Sequence, residues 1–177
     1  MNSIAVLLLG FDHALNHEWE SLTGAIGNLT DAESGWQHPA YRAEPHDNGI
    51  GKPGTVLWFL NHLEHCHRHY TEVLRAAQAE QQETGSAINT RPPGELPLSQ
   101  IIPALAAANA ALRAEIEALS DKKLQETLPT GKTKADFILA AIRHIAWHAG
   151  QIATIRRLRA NERGRGPVPA PGVDASS

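Results

Sequence analysis

Ile142-Arg143-His144-Ile145-Ala146-Trp147-His148-Ala149-Gly150-Gln151-Ile152 is the stretch whose reading decides the fold. Around it Phe137, Ala141, Ile145, Ile152 and Ile155 form one apolar stripe at about 100° per residue, the period of an amphipathic helix. His144 and His148 stand one helical turn apart on the same face, and Gln151 follows nearly a turn later. Two imidazoles placed this way can chelate one ion, because neutral imidazole nitrogen is a common ligand for zinc and its neighbours. Measured from His144, the stripe centres near about 60° and His148 falls at about 40°, so both rings are expected on the buried side.

Spacing alone does not make a site. His13 and His17 show the same interval on a first helix expected over residues 3–29, where Ile4, Leu7, Phe11, Leu15, Leu22, Ala25 and Leu29 recur at helical spacing. The apolar side of that helix lies roughly 150° from the pair, so His13 and His17 are expected in solvent. Glu18 falls on the apolar side, either paired with a base near the site or with its stem lying along the surface.

Asn28 to Gly54 is rich in Gly, Pro, Asp and Asn and reads as a long connection. Loops longer than about 15 residues often line functional sites. Pro53-Gly54-Thr55 opens a second helix with Thr55 as N-cap, and Phe59, Leu63, Cys66, Tyr70 and Val73 form its stripe as far as about Gln82. Beyond a polar crossover from Glu83 to Pro97, Ser99 is expected to cap a third helix over Gln100 to Leu119, with Pro103 tolerated in its first turn. Leu128-Pro129-Thr130-Gly131 breaks the pattern. Thr133-Lys134-Ala135-Asp136, a capping box with Asp in place of Glu, then starts the fourth helix, expected to end about Arg159. The fold class is therefore all-α: a four-helix bundle over residues 1–160 with long crossover connections, followed by a flexible C-terminal tail over 161–177.

Composition narrows the function. The chain has 177 residues, 42% hydrophobic and 20% charged, the balance of a soluble globular domain. A net charge of −3 gives no electrostatic case for nucleic acid or an anionic membrane. No apolar run approaches the ~18 residues of a membrane span, and Ile4 to Leu9 lacks the basic flank of a signal peptide. The single cysteine, Cys66, allows no internal disulfide and suits a reducing, cytoplasmic setting. Histidine is the outlier, with ten copies, six of them grouped at positions 62–69 and 144–148 and none in a terminal tag.

A catalytic zinc centre ordinarily takes three protein ligands, so another helix must contribute. On the second helix His62 and His67 each lie within about 80° of the stripe centre, on opposite flanks, while His65 points away. Cys66 points most directly inward, where cysteine ordinarily serves as a small core residue. The helical wheel leaves His62 and His67 tied. Gln151 suits a bond that orients an imidazole. Gly150 costs about 1 kcal/mol inside a helix and suggests close approach of another helix.

Three stretches together resemble the DinB/YfiT-like family of metal-dependent enzymes, over roughly residues 5–160. They are Leu29-Thr30-Asp31-Ala32-Glu33-Ser34-Gly35-Trp36, Trp58-Phe59-Leu60-Asn61-His62-Leu63, and His144-Ile145-Ala146-Trp147-His148-Ala149-Gly150-Gln151-Ile152. The resemblance implies a metal triad of His62, His144 and His148, which resolves the tie in favour of His62. It also implies a four-helix bundle, zinc or nickel as the ion, and a homodimer. Related chemistries are transfer of low-molecular-weight thiols, maleylpyruvate isomerisation and hydrolysis, in which the ion activates a thiol or water on a small-molecule substrate. No catalytic residue is assigned, and His46 and Asp47 are polar loop candidates for a general base. The main competitor is a stress-response module that binds a metal or small molecule without turnover. A di-iron carboxylate bundle is excluded because Glu64-His65-Cys66-His67 has no ExxH counterpart on the fourth helix, which carries no glutamate before Glu162. Arg156, Arg157, Arg159, Arg163 and Arg165 lack interleaved aromatics and do not make a nucleic-acid surface; cations near a helix C-terminus are favourable in any case.

Overall fold

Each apolar-periodic stretch forms helix in the computed structural model, which describes residues 2–17, 20–42, 51–78 and 95–164. Four helices among them are long: α1 (Ser3–Asn16), α4 (Val56–Gln78), α5 (Leu98–Glu117) and α7 (Lys134–Gly164). Three are short: α2 (Leu22–Ile26), α3 (Asp31–Ser34) and α6 (Asp121–Leu124). No strand forms among the described residues, and the protein is all-α as expected. None of these helices is long and apolar enough to cross a membrane.

Several boundaries differ from expectation. Residues 3–29 are not one helix: α1 ends at Asn16, His17 is extended at ψ 144°, and Ser21 caps α2 by accepting from the Gly24 amide. The apolar period runs across the break because Phe11, Leu15 and Leu22 enter the same core. Arg156 of α7 holds α2 in place by donating to the carbonyls of Ala25 (2.7 Å) and Gly27 (2.9 Å). The third long helix starts ahead of Ser99, with Pro97 at the N-cap and no side-chain cap. The last helix continues past Arg159 to Gly164. Glu18, His46, Asp47, Glu83, Arg165 and most of the expected tail lie outside the described residues.

The packing is cyclic. α1 and α4 each pack against both α5 and α7, so α1 and α4 occupy opposite corners. Phe59 meets His148 and Tyr70 meets Phe137, which makes α4 and α7 antiparallel. Asn61 bonds Leu96 and Arg75 bonds Glu115, which makes α4 and α5 parallel. Asp12 receives two bonds from Arg113 (2.8 and 3.0 Å) while the Ile4 amide reaches Asp121, so α1 runs antiparallel to α5. Parallel neighbours require a long crossover, which the chain between Gln78 and Leu98 supplies. The core contains Phe11, Leu60, Leu63, Leu74, Ile101, Ile116, Ile145 and Ile152, all fully buried.

The two halves of the chain repeat one plan. α3 is capped by Thr30 and α6 by Ser120. An isolated bridge follows each, Gln37 to Thr55 and Thr127 to Thr133. Both bridges end on a threonine that caps the next long helix. Thr55 Oγ1 accepts from the Trp58 amide at 3.1 Å, and Thr133 Oγ1 from the Asp136 amide at 3.1 Å. The Asp136 carboxylate returns a bond from the Thr133 amide, completing the capping box read from the sequence. The two helices begun this way, α4 and α7, carry the clustered histidines.

Gly54 adopts φ +72°, a left-handed conformation, and Tyr41 packs where a Cβ would sit. That glycine lets the chain turn directly into the Thr55 cap. Thr55→Ala is predicted to lower stability by about 1 kcal/mol, whereas Thr55→Ser keeps the cap and most of the stability. Urea unfolding checks this; equal loss in both variants would instead point to the lost methyl packing.

Candidate metal centre

The antiparallel packing of α4 on α7 brings three histidines edge to edge. His62 Nε2 lies 3.2 Å from His144 Nε2, and His144 Nε2 lies 2.8 Å from His148 Nε2. Ring centroids are 5.1 Å apart for His62–His144, 5.0 Å for His62–His148 and 4.4 Å for His144–His148. Nitrogens about 2.0–2.1 Å from a zinc ion stand about 2.9 Å apart at a right angle and about 3.4 Å apart at the tetrahedral angle. These two nitrogen separations therefore suit ligands of one ion. Neutral imidazole nitrogens are also the donor type that zinc, nickel and cobalt accept.

Surrounding groups orient the rings. His148 Nδ1–H donates to Gln151 Oε1 at 2.6 Å, which leaves the Nε2 lone pair directed at the cluster. The Tyr70 hydroxyl stands 3.4 Å from His144 Nδ1, a contact not singled out in the sequence. Trp58 stacks on His62 at 5.0 Å with the rings 5° from parallel, and Phe59 packs 5.1 Å from His148. Among the described residues the buried His62 Nδ1 has no hydrogen-bond partner, so stacking fixes this ring where a polar bond does not.

Burial in this apolar shell pushes His62 down to about 4, with the neighbouring imidazoles adding to the effect. The same causes bring His144 to about 3, and burial also lowers His148. All three stay neutral at pH 7, with lone pairs free for a cation.

Cys66, one turn beyond His62, places Sγ 3.6 Å from His62 Nε2. The ligand atoms of His62, Cys66 and His144 all lie within 4.8 Å of one another. Burial pushes the Cys66 thiol up to about 12, so in the absence of a cation it is protonated. His67, tied with His62 on the helical wheel, faces elsewhere: fully buried, it bonds Asn109 of α5 through Nδ1 and lies 6.5 Å from Phe11. His65 and His69 are half-buried and outside the cluster. His13 and His17 are exposed as expected, their rings 5.3 Å apart.

A groove of about 660 Å³ opens beside His148. Phe59 and Gln151, both in contact with that ring, form part of its wall, together with Trp147, Tyr41, Ile155 and Leu158. Gly150 also lines it, and a Cβ built there meets nothing within 4 Å. The close helix approach expected at Gly150 is therefore absent; the residue faces the groove.

Helix order, antiparallel α4 and α7, and converging imidazoles together define an all-α scaffold suited to holding a metal. The family model of the DinB superfamily matches residues 14–152, and the chain belongs to that superfamily. Comparison with curated proteins and with solved structures gave no match.

The depressed histidines make the metal-free protein acid-sensitive. Unfolded, each imidazole takes up a proton near pH 6.5, whereas folded His62 and His67 resist to about 4. Between those values the unfolded chain binds more protons, so stability is complete above about pH 6.5 and falls as pH drops through 4. Urea midpoints for metal-free protein are predicted to decline from pH 7 to pH 4.5. A flat profile would contradict neutral buried imidazoles.

Proposed function

We propose that this protein is a metal-dependent enzyme that activates a thiol or a water at a centre formed by His62, His144 and His148, with zinc or nickel as the ion. The meeting of three neutral imidazoles on facing helices carries this reading, and Phe59 and Gln151, both in contact with His148, line a groove beside them. A bound divalent ion supplies Lewis acidity there, because neutral ligands leave its full charge to act on a thiol or water. His62, His144 and His148 hold their lone pairs ready, and Gln151 keeps His148 in the required tautomer. Trp58 and Phe59 exclude water from the imidazole faces.

The groove supports a small-molecule substrate. Its volume of about 660 Å³ matches small-molecule sites, which typically run about 300–1,000 Å³. Walls of Phe59, Trp147, Ile155 and Leu158 favour a ligand with an apolar or aromatic body. Gln151 and Thr154 offer polar contacts to its reacting end. A low-molecular-weight thiol is the proposed co-substrate.

Metal content of protein purified without a nickel column is predicted to approach one ion per chain. Each of His62→Ala, His144→Ala and His148→Ala should abolish most of it while helicity persists. Stoichiometric metal in all three folded variants would contradict the centre. Gln151→Leu is predicted to weaken metal affinity by roughly 10–100-fold, measured against a chromophoric chelator. Thiol-transfer assays with bacillithiol, mycothiol and glutathione then distinguish catalysis from simple binding: no turnover with any of them, together with no hydrolysis, would favour a binding module.

A further inference from the structure

Cys66 has a geometry that the three-histidine reading leaves unused. It follows His62 by one turn of α4, and its sulfur approaches the same nitrogen that faces His144. Zinc holds thiolate sulfur at about 2.3 Å and imidazole nitrogen at about 2.0–2.1 Å, so two such ligands at the tetrahedral angle stand about 3.6 Å apart. The His62 Nε2 to Cys66 Sγ separation is 3.6 Å. Two nitrogens at the tetrahedral angle stand about 3.4 Å apart, and His62 to His144 is 3.2 Å. Two edges from His62 thus have tetrahedral spacing, and the ligand atoms of Cys66 and His144 lie within 4.8 Å of each other.

We propose that Cys66 is a further protein ligand, which adds one sulfur to the imidazole nitrogens of the centre in the absence of substrate. This rests on the metal-centre reading above. On binding, the Cys66 S–H bond breaks, its proton leaves to solvent, and the sulfur lone pair forms the bond to the ion. The sulfur gives the centre a preference for thiophilic ions such as zinc and cobalt over manganese or magnesium. It also stands where an incoming thiol or water would bind, so substrate must displace Cys66 to gain the ion. Cys66 is then a gate on an otherwise open site.

Metal-free protein titrated with cobalt(II) tests this by absorption spectroscopy. The expected result is a near-ultraviolet sulfur-to-cobalt charge-transfer band, saturating at one equivalent and absent from Cys66→Ser. Low-molecular-weight thiol added to the cobalt form should shift that band as it takes the position of Cys66, and an unchanged band would overturn the gate. Cobalt binding with no charge-transfer band would overturn the sulfur ligand and leave the three-histidine centre standing. That outcome would assign the 3.6 Å contact to an S–H···N hydrogen bond. No cobalt binding at all would overturn both. The wild-type spectrum decides the question even if Cys66→Ser fails to fold.

Discussion

Imidazole rings on two helices meet edge to edge only if those helices run antiparallel with a fixed offset, and the packing of α4 on α7 imposes that condition. Phe59 against His148 at one level and Tyr70 against Phe137 at another define the offset, with His62 facing His144 between them. Capping threonines start both helices, and Asn61, adjacent to His62, bonds Leu57, Leu96 and the Leu96 amide to tie α4 to the start of α5. A one-residue slip of α4 would rotate His62 by about 100° and remove it from the cluster. Residues remote from the histidines thus determine whether they form a centre.

The site carries an internal tension. Three imidazoles and a thiol lie largely buried, with Trp58 and Phe59 against the rings, where ionisation of any of them is costly. Outside the cluster's own ring and thiol contacts, the hydrogen bonds that offset that burial are Gln151 to His148 and the Tyr70 contact to His144, and among the described residues His62 Nδ1 has none. Such an arrangement is expensive to maintain as a purely structural core, since apolar side chains would pack there without unsatisfied polar atoms. A cation bound by the converging lone pairs would supply the missing interaction. Membership of the DinB superfamily agrees with that physical reading, although the reading does not depend on it.

Much of this was legible in the sequence because periodicity and capping are local properties. Thr55 and Thr133 marked the starts of the two histidine-bearing helices, and the apolar stripe gave the inward direction of His144 and His148. The first-helix break was hidden because Leu22 continues the apolar period beyond the Ser21 cap, and a stripe records which side is buried rather than whether the backbone is continuous. His62 and His67 stayed tied for a similar reason. A helical wheel gives the angle from the core but not the neighbour met at that angle: α4 lies between α7 and α5, so one flank carries His62 to His144 and the other His67 to Asn109. Gly150 was misread because a helical glycine signals either a close neighbour or an open space, and only tertiary structure distinguishes them. Tyr70 and the groove beside His148 likewise arise from side chains that are distant in sequence.

X-ray absorption at the zinc edge, on protein reconstituted with one equivalent of zinc, tests the central claim most directly. The account predicts a first shell dominated by nitrogen at about 2.0–2.1 Å, with outer-shell scattering from three imidazoles and a sulfur contribution at about 2.3 Å. A first shell of oxygen alone, with no imidazole scattering, would contradict a centre built from His62, His144 and His148.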